Sequence, residues 1–235
     1  MTLLSTHGLR KSFGGLEAVG GVDLSVNGGE VRALIGPNGA GKTTLVGLIC
    51  GRLTPSAGQV FFDGQDITSL PADARIRLGM SYTFQITSVF PGLPVPENVA
   101  LAARNCRPPK DVDRVVAHAL DRVGLSSESD EMAGNLSYGH QRLLEIAMGL
   151  AQSPKLLILD EPTQGLSEGE VAAFNRLVRD LAGQTTVLLI EHNMDVVMAV
   201  ADQVTVLTSG RVLAEGTPDE IRADQAVQAA YLGER

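Results

Sequence analysis

Directly behind the apolar run "VRALI" (31–35) the chain reads "GPNGAGKTT", from Gly36 to Thr44. The run has strand length, and helix-forming residues resume at Lys42, so the chain must turn sharply between them. Gly36, Pro37, Asn38, Gly39, Ala40, Gly41, Lys42 and Thr43 fit the spacing G-x-x-x-x-G-K-[ST]. Glycines let successive N–H groups point into one concavity. A helix starting near Gly41 adds its unpaired N–H groups and the positive end of its dipole. Together they predict a cradle for a polyphosphate. Lys42 is spaced to reach the β- and γ-phosphates, and the Thr43 hydroxyl to hold Mg²⁺.

Two more apolar runs resemble the first: "LLILD" (156–160) and "TVLLIE" (186–191). All three are continuous rather than alternating, as in parallel strands covered on both faces. Helical patterns follow each, at Lys42 to Cys50, Glu168 to Leu181 and Asn193 to Val200, so the fold class is α/β with helices flanking a sheet. "LLSTHGLRKSF", "VDLSVN" and "GQVFFDG" read instead as an N-terminal antiparallel β layer, and "RVLAEGT" near the end looks similar. Between Gln85 and Pro154 the pattern is helical, near Glu97–Asn105, Asp111–Val123 and Tyr138–Ala151. The expected organisation is a nucleotide-binding core over 1–85 and 154–235, with an inserted helical subdomain over 86–153.

Composition narrows the function classes. The 235 residues carry a net charge of −8 without a lysine–arginine block, and aromatics are 4%, so no nucleic-acid partner is expected. Cys50 and Cys106 form no CxxC or Cys/His cluster and read as free thiols of a reducing compartment. No charged-then-apolar leader precedes Leu9 and no 18 apolar residues run together, so neither secretion nor a membrane span is expected.

Hydrolysis requires more than a cradle. Asp160 ends the second apolar run, where an aspartate can hold the Mg²⁺ shell, and Glu161 is placed to accept a proton from an attacking water. His192 follows the third run. Gly36, Asp160 and His192 thus sit at the carboxyl ends of three strands, the edge where open α/β sheets bind ligands. If those strands are neighbours, His192 faces the γ-phosphate.

With "LSYGHQR" (136–142) added, the sequence resembles the nucleotide-binding subunit of an ATP-binding-cassette (ABC) transporter over essentially its whole length. In that family two cassettes bind head to tail around two ATP molecules. The resemblance implies that Ser137 and the Gly139 backbone, with Tyr138 and His140 in the same signature, contact ATP held by a partner subunit. Phe13, in "RKSFGG", resembles the aromatic that stacks on adenine. Gln85, in "YTFQIT", resembles the glutamine that contacts Mg²⁺ and the attacking water. "QGLS" (164–167) resembles the loop that crosses to the other subunit. Three positions depart from the common pattern: Tyr138 replaces a glycine, His140 a glutamine and Ser167 an aspartate.

The resemblance implies ATP and Mg²⁺ as cofactors. As partners it implies a second ABC ATPase subunit, in a homo- or heterodimer, two transmembrane permease subunits and, indirectly, a solute-binding protein. It places the chain in the cytoplasm, peripheral on the inner face of the cell membrane. "FQITSVFPGLPVPENVALAAR", "IEHNMDVVMAVADQVTVLTSGRVLAEGTP" and "AAYLGE" resemble the ATPases of high-affinity branched-chain amino-acid importers. ATPases of lipopolysaccharide export, of urea or amide import, or of soluble iron–sulfur assembly would share the core motifs. "SVFPGLPV" is apolar for an exposed stretch, which favours a membrane partner.

Overall fold

The computed structural model describes residues 1–83 and 88–232. β1 (Thr2–Phe13) and β2 (Leu16–Asn27) form an antiparallel hairpin turning at Gly14 and Gly15. β3 (Val31–Ile35) runs through the glycine-rich loop into α1 (Lys42–Ile49). β4 (Ala57–Phe62) returns to pair with β1, and the short β5 (Gln65–Asp66) pairs with β4. α2 (Ala72–Arg77) leads to β6 (Met80–Thr83). Three helices follow, α3 (Val95–Arg104), α4 (Val112–Arg122) and α5 (Tyr138–Ala151). The chain then alternates through β7 (Leu156–Asp160), α6 (Glu168–Leu181), β8 (Thr186–Ile190), α7 (Met194–Val200) and β9 (Gln203–Thr208). It closes with β10 (Arg211–Gly216), α8 (Pro218–Ala223) and α9 (Gln225–Leu232).

Among the described residues the strands form two sheets. An antiparallel one is ordered β2-β1-β4-β5 and a mixed one β10-β9-β3-β8-β7-β6. In the second, β9, β3, β8, β7 and β6 run parallel, and only β10 is antiparallel. β3, β8 and β7 are therefore direct neighbours with their carboxyl ends on one edge. This is the α/β class that the three apolar runs predicted.

Their continuous hydrophobicity has a direct cause. Successive side chains point to opposite faces of a strand. Leu157, Leu159, Val187 and Leu189 face a core shared with α3–α6, while Leu156, Ile158, Leu188 and Ile190 face a core shared with α1 and the antiparallel sheet. Both faces are dry, so a polar side chain in these runs needs a partner, as Arg32 has in Glu30 at 2.9 Å. The helices bury one stripe each: Val95, Val99 and Ala103 in α3, Val112, Val116 and Ala119 in α4, and Leu143, Ala147 and Ala151 in α5.

Two strands of the mixed sheet are absent from the sequence reading. β6 has only four residues, and β9 mixes Gln and Thr with its apolar residues. The third apolar run ends one residue early, because Glu191 turns its carboxylate back onto the chain. "RVLAEGT" is the antiparallel edge of the mixed sheet and not part of the N-terminal layer. Among the described residues no helix is long and apolar enough to cross a membrane.

Candidate functional site

The glycine-rich loop leaves β3 at the carboxyl edge of the mixed sheet. Gly36 has φ +150° and Gly41 φ +99°, and a Cβ at either would overlap a carbonyl oxygen, that of Leu207 or of Ala18. Glycine is therefore required twice over, by conformation and by space. The loop is clasped from outside: Gly210 N donates to Ala40 O at 2.9 Å, and Gly20 N donates to Gly210 O at 2.8 Å. Lys42 is 9% exposed, and its Nζ donates to Gly36 O at 2.6 Å and Pro37 O at 3.0 Å. The ammonium is thus held inside the curve of the loop.

A cavity of about 490 Å³ opens over the loop. Residues 38–44 and Glu161 line it together with Leu16, Glu17, Ala18, Ser209 and Gly210. Glu17 is held by Arg10 at 2.8 Å and Arg211 at 3.1 Å. The sequence reading missed Leu16, Glu17, Ala18, Ser209 and Gly210, because they come from distant parts of the chain and carry no local motif. Phe13 lies next to the cavity rather than among its lining residues. It pairs with Leu16 across the hairpin, is 48% exposed, and has Lys11 Nζ 5.1 Å from its ring centre.

Asp160 and Glu161 end β7 in different environments. Asp160 is buried, and its Oδ2 accepts from the Tyr82 hydroxyl at 2.7 Å. Burial raises its carboxyl above the ordinary range, although the Tyr82 bond opposes the shift. Tyr82 is itself covered by Arg52, whose guanidinium lies 4.4 Å from the ring centre and donates to the hydroxyl at 3.2 Å. Glu161 is half-buried with φ +48°, a left-handed conformation that costs a non-glycine residue of the order of 1 kcal/mol or more. Its N–H donates to Ile190 O at 2.9 Å, which ties the start of this turn to β8.

The signature turn reaches the same edge through α5. Arg142 is almost wholly buried, and its Nη2 donates to Asp160 O at 3.0 Å and Glu161 O at 3.1 Å. Its Nη1 pairs with Glu145 at 2.9 Å. One guanidinium therefore spans the signature helix and the end of β7. Ser137 caps α5 by accepting from His140 N at 3.2 Å. Tyr138 is exposed and lies against Gly165, where a Cβ would sit 3.0 Å from the ring. Gly139 leaves no room for a Cβ beside the Glu170 carboxylate. His140 Nδ1 lies 3.7 Å from Glu128. Ser167 and Glu170 form a reciprocal capping box at the start of α6, a local use for the serine that stands in place of aspartate.

His192 follows β8 with its ring exposed, on the same sheet edge as Gly36 and Asp160. The cavity brings residues 38–44 together with Glu161; it does not include Asp160, Gly36, Pro37, Phe13, His192 or residues 137–140 in its lining. Gln85 lies outside the described residues.

Residues 19–164 match the family described as "ABC transporter", which is more than half of the chain. The chain belongs to the ABC transporter family. Residues 211–235 also match the family described as "Branched-chain amino acid ATP-binding cassette transporter". High-affinity branched-chain amino acid transport ATP-binding protein LivG of Escherichia coli K12 is 39% identical, over 99% of this chain and 98% of its own. Lipopolysaccharide export system ATP-binding protein LptB of the same strain is 35% identical, over 100% and 98%. Among solved structures, MJ1267, an ATP-binding cassette of an ABC transporter in its ADP conformation, superposes with TM-score 0.88 at 32% identity over 99% of both chains. This ABC transporter cassette is accordingly a nucleotide-binding ATPase.

Proposed function

We propose that this chain is the ATP-hydrolysing subunit of a branched-chain amino-acid importer and that it works in the cavity over residues 38–44. The observation that carries the reading is the meeting of the phosphate cradle and Glu161 across one cavity, at the edge where Asp160 and His192 also emerge. The loop N–H groups and the α1 dipole favour negative phosphate oxygens, and Lys42 adds a positive charge among them. Glu161 accepts the proton of the attacking water, and Lys42 and His192 stabilise the charge that develops on the transferred phosphoryl group. Phe13, beside Leu16 on the hairpin, stacks on adenine.

Thr43 and Asp160 offer a hydroxyl and a carboxylate oxygen, a donor set suited to Mg²⁺, and the family pattern adds Gln85. When bound, Mg²⁺ neutralises charge on the β- and γ-phosphates.

Ser137 and Tyr138 are exposed and away from the cavity lining. The resemblance of "LSYGHQR" to the family signature supports the reading that they serve the ATP of a second cassette, whose signature serves this one. A separate groove of about 490 Å³ is lined by Tyr82, Phe90, Leu101, Ala102, Met148 and others. Phe90 is 51% exposed there, and we assign the groove to the transmembrane permease subunits. The chain is then held on the cytoplasmic face through those subunits, with a solute-binding protein as an indirect partner. α3, α4 and α5 move as the lobe that carries the signature.

The match at residues 211–235 favours amino-acid import over lipopolysaccharide export. Reconstitution in vesicles with its permease, its ATPase partner and a solute-binding protein tests this. Leucine, isoleucine or valine should stimulate ATP hydrolysis several-fold and be taken up. Hydrolysis indifferent to all three would reject the substrate class.

A further inference from the structure

Glu191 lies between β8 and His192, its side chain wholly buried. Its two carboxylate oxygens serve two different segments. Oε1 accepts from Thr163 N at 3.1 Å and from the Thr163 hydroxyl, while Oε2 accepts from His192 N at 3.0 Å and Asn193 N at 3.1 Å. Thr163 is two residues beyond Glu161, so one carboxylate joins the turn of the proposed base to the turn of the proposed histidine. Four donors also satisfy a wholly buried carboxyl group that would be costly without partners.

The two turns need such a link. Glu161 is held in a left-handed conformation, which persists only where its surroundings over-determine it. The His192 ring is exposed, with Nδ1 4.0 Å from Glu191 Oε2, so the placement of its backbone decides where the ring can reach. Asn193 uses its own side chain to cap α7 by accepting from Asp195 N at 3.0 Å. Glu191 is therefore the group that fixes where α7 begins relative to Thr163.

We infer that Glu191 is a positioning residue for ATP hydrolysis, holding the His192 turn against the Thr163 turn. The inference rests on the reading that His192 acts on the γ-phosphate. Glu191→Gln keeps the shape but sets an NH₂ group against either the Thr163 donors or the His192 and Asn193 N–H groups. It should lower kcat by about tenfold or more while the KM for MgATP stays within about twofold, since a displacement near 1 Å can cost a hundredfold. In a His192→Ala background the same change should cost less than about twofold, because residues acting as a unit are not additive.

Wild-type kcat in Glu191→Gln, or an equal loss in both backgrounds, would overturn the proposal. Should Glu191→Gln fail to fold by thermal melting, Thr163→Val removes only the hydroxyl donor and allows the same comparison, with a smaller loss that again disappears in the His192→Ala background. His192→Ala with full activity would remove the reading of His192 and this inference together. An inactive His192→Ala beside a fully active Glu191→Gln would remove the inference alone.

Discussion

Tyr82, the third residue of β6, donates its hydroxyl proton to Asp160 at 2.7 Å, joining the ends of two neighbouring parallel strands. The phenol is held in its protonated form by burial and by that carboxylate. Asp160 is held above the ordinary carboxylate range, chiefly by burial.

Asp160 is thereby a cost to the fold. The native chain holds this proton more tightly than the unfolded chain does, so stability is lost as pH rises through the raised value. Asp160→Asn removes the cost while leaving an oxygen for Tyr82. Its melting temperature without nucleotide should exceed the wild type's at neutral pH, with the difference vanishing toward pH 3. The added stability that Mg²⁺ and ATP give the wild type should be lost. Melts across pH, with and without Mg-nucleotide, check both signs.

The loop separates a steric requirement from an electrostatic one. Gly36→Ala sets a methyl group into the Leu207 carbonyl and should cost about 2–4 kcal/mol in urea unfolding, with weakened nucleotide binding. Lys42→Ala removes the ammonium with its stem and the bonds to Gly36 O and Pro37 O, but it introduces no clash. It should melt within a few degrees of the wild type and lose about tenfold or more in MgATP affinity by titration calorimetry.

Arg142 should behave as a buried ion-pair partner. Arg142→Leu leaves the Glu145 carboxylate without that partner and takes donors from the Asp160 and Glu161 carbonyls, a loss of about 3–5 kcal/mol. Adding Glu145→Leu should return part of that stability but none of the ATPase activity. Chemical unfolding and steady-state hydrolysis of both variants separate the two effects.

The cysteines differ in reach. Cys50 is 8% exposed, and burial pushes its thiol up to about 12, whereas Cys106 is half-buried. Brief iodoacetamide treatment of the native protein at pH 8 should label Cys106 alone, and unfolding should add Cys50. Peptide mass mapping distinguishes them.

Much of this architecture is legible in the sequence because it is local. "VRALI", "LLILD" and the first five residues of "TVLLIE" become strands because parallel strands dry on both faces admit almost no polar residue. Gly36 and Gly41 are legible because their roles depend on the backbone of their own turn. The distant parts are not. Leu16, Glu17 and Ser209 reach the cavity only after the antiparallel hairpin and β9 have been set in place. Tyr82 meets Asp160 from 78 residues away, and Glu191 reaches Thr163 across 28. Arg142 was visible as part of "LSYGHQR", yet its bond to the end of β7 is a tertiary fact.

ATP turnover by Glu161→Gln tests the central claim most directly. The wild type and variant should bind MgATP with affinities within about twofold, while hydrolysis by the variant falls by about a hundredfold to ten-thousandfold. The variant should also elute as an ATP-dependent dimer in size-exclusion chromatography. Turnover equal to that of the wild type would contradict the assignment of Glu161 as the base and the mechanism built on it.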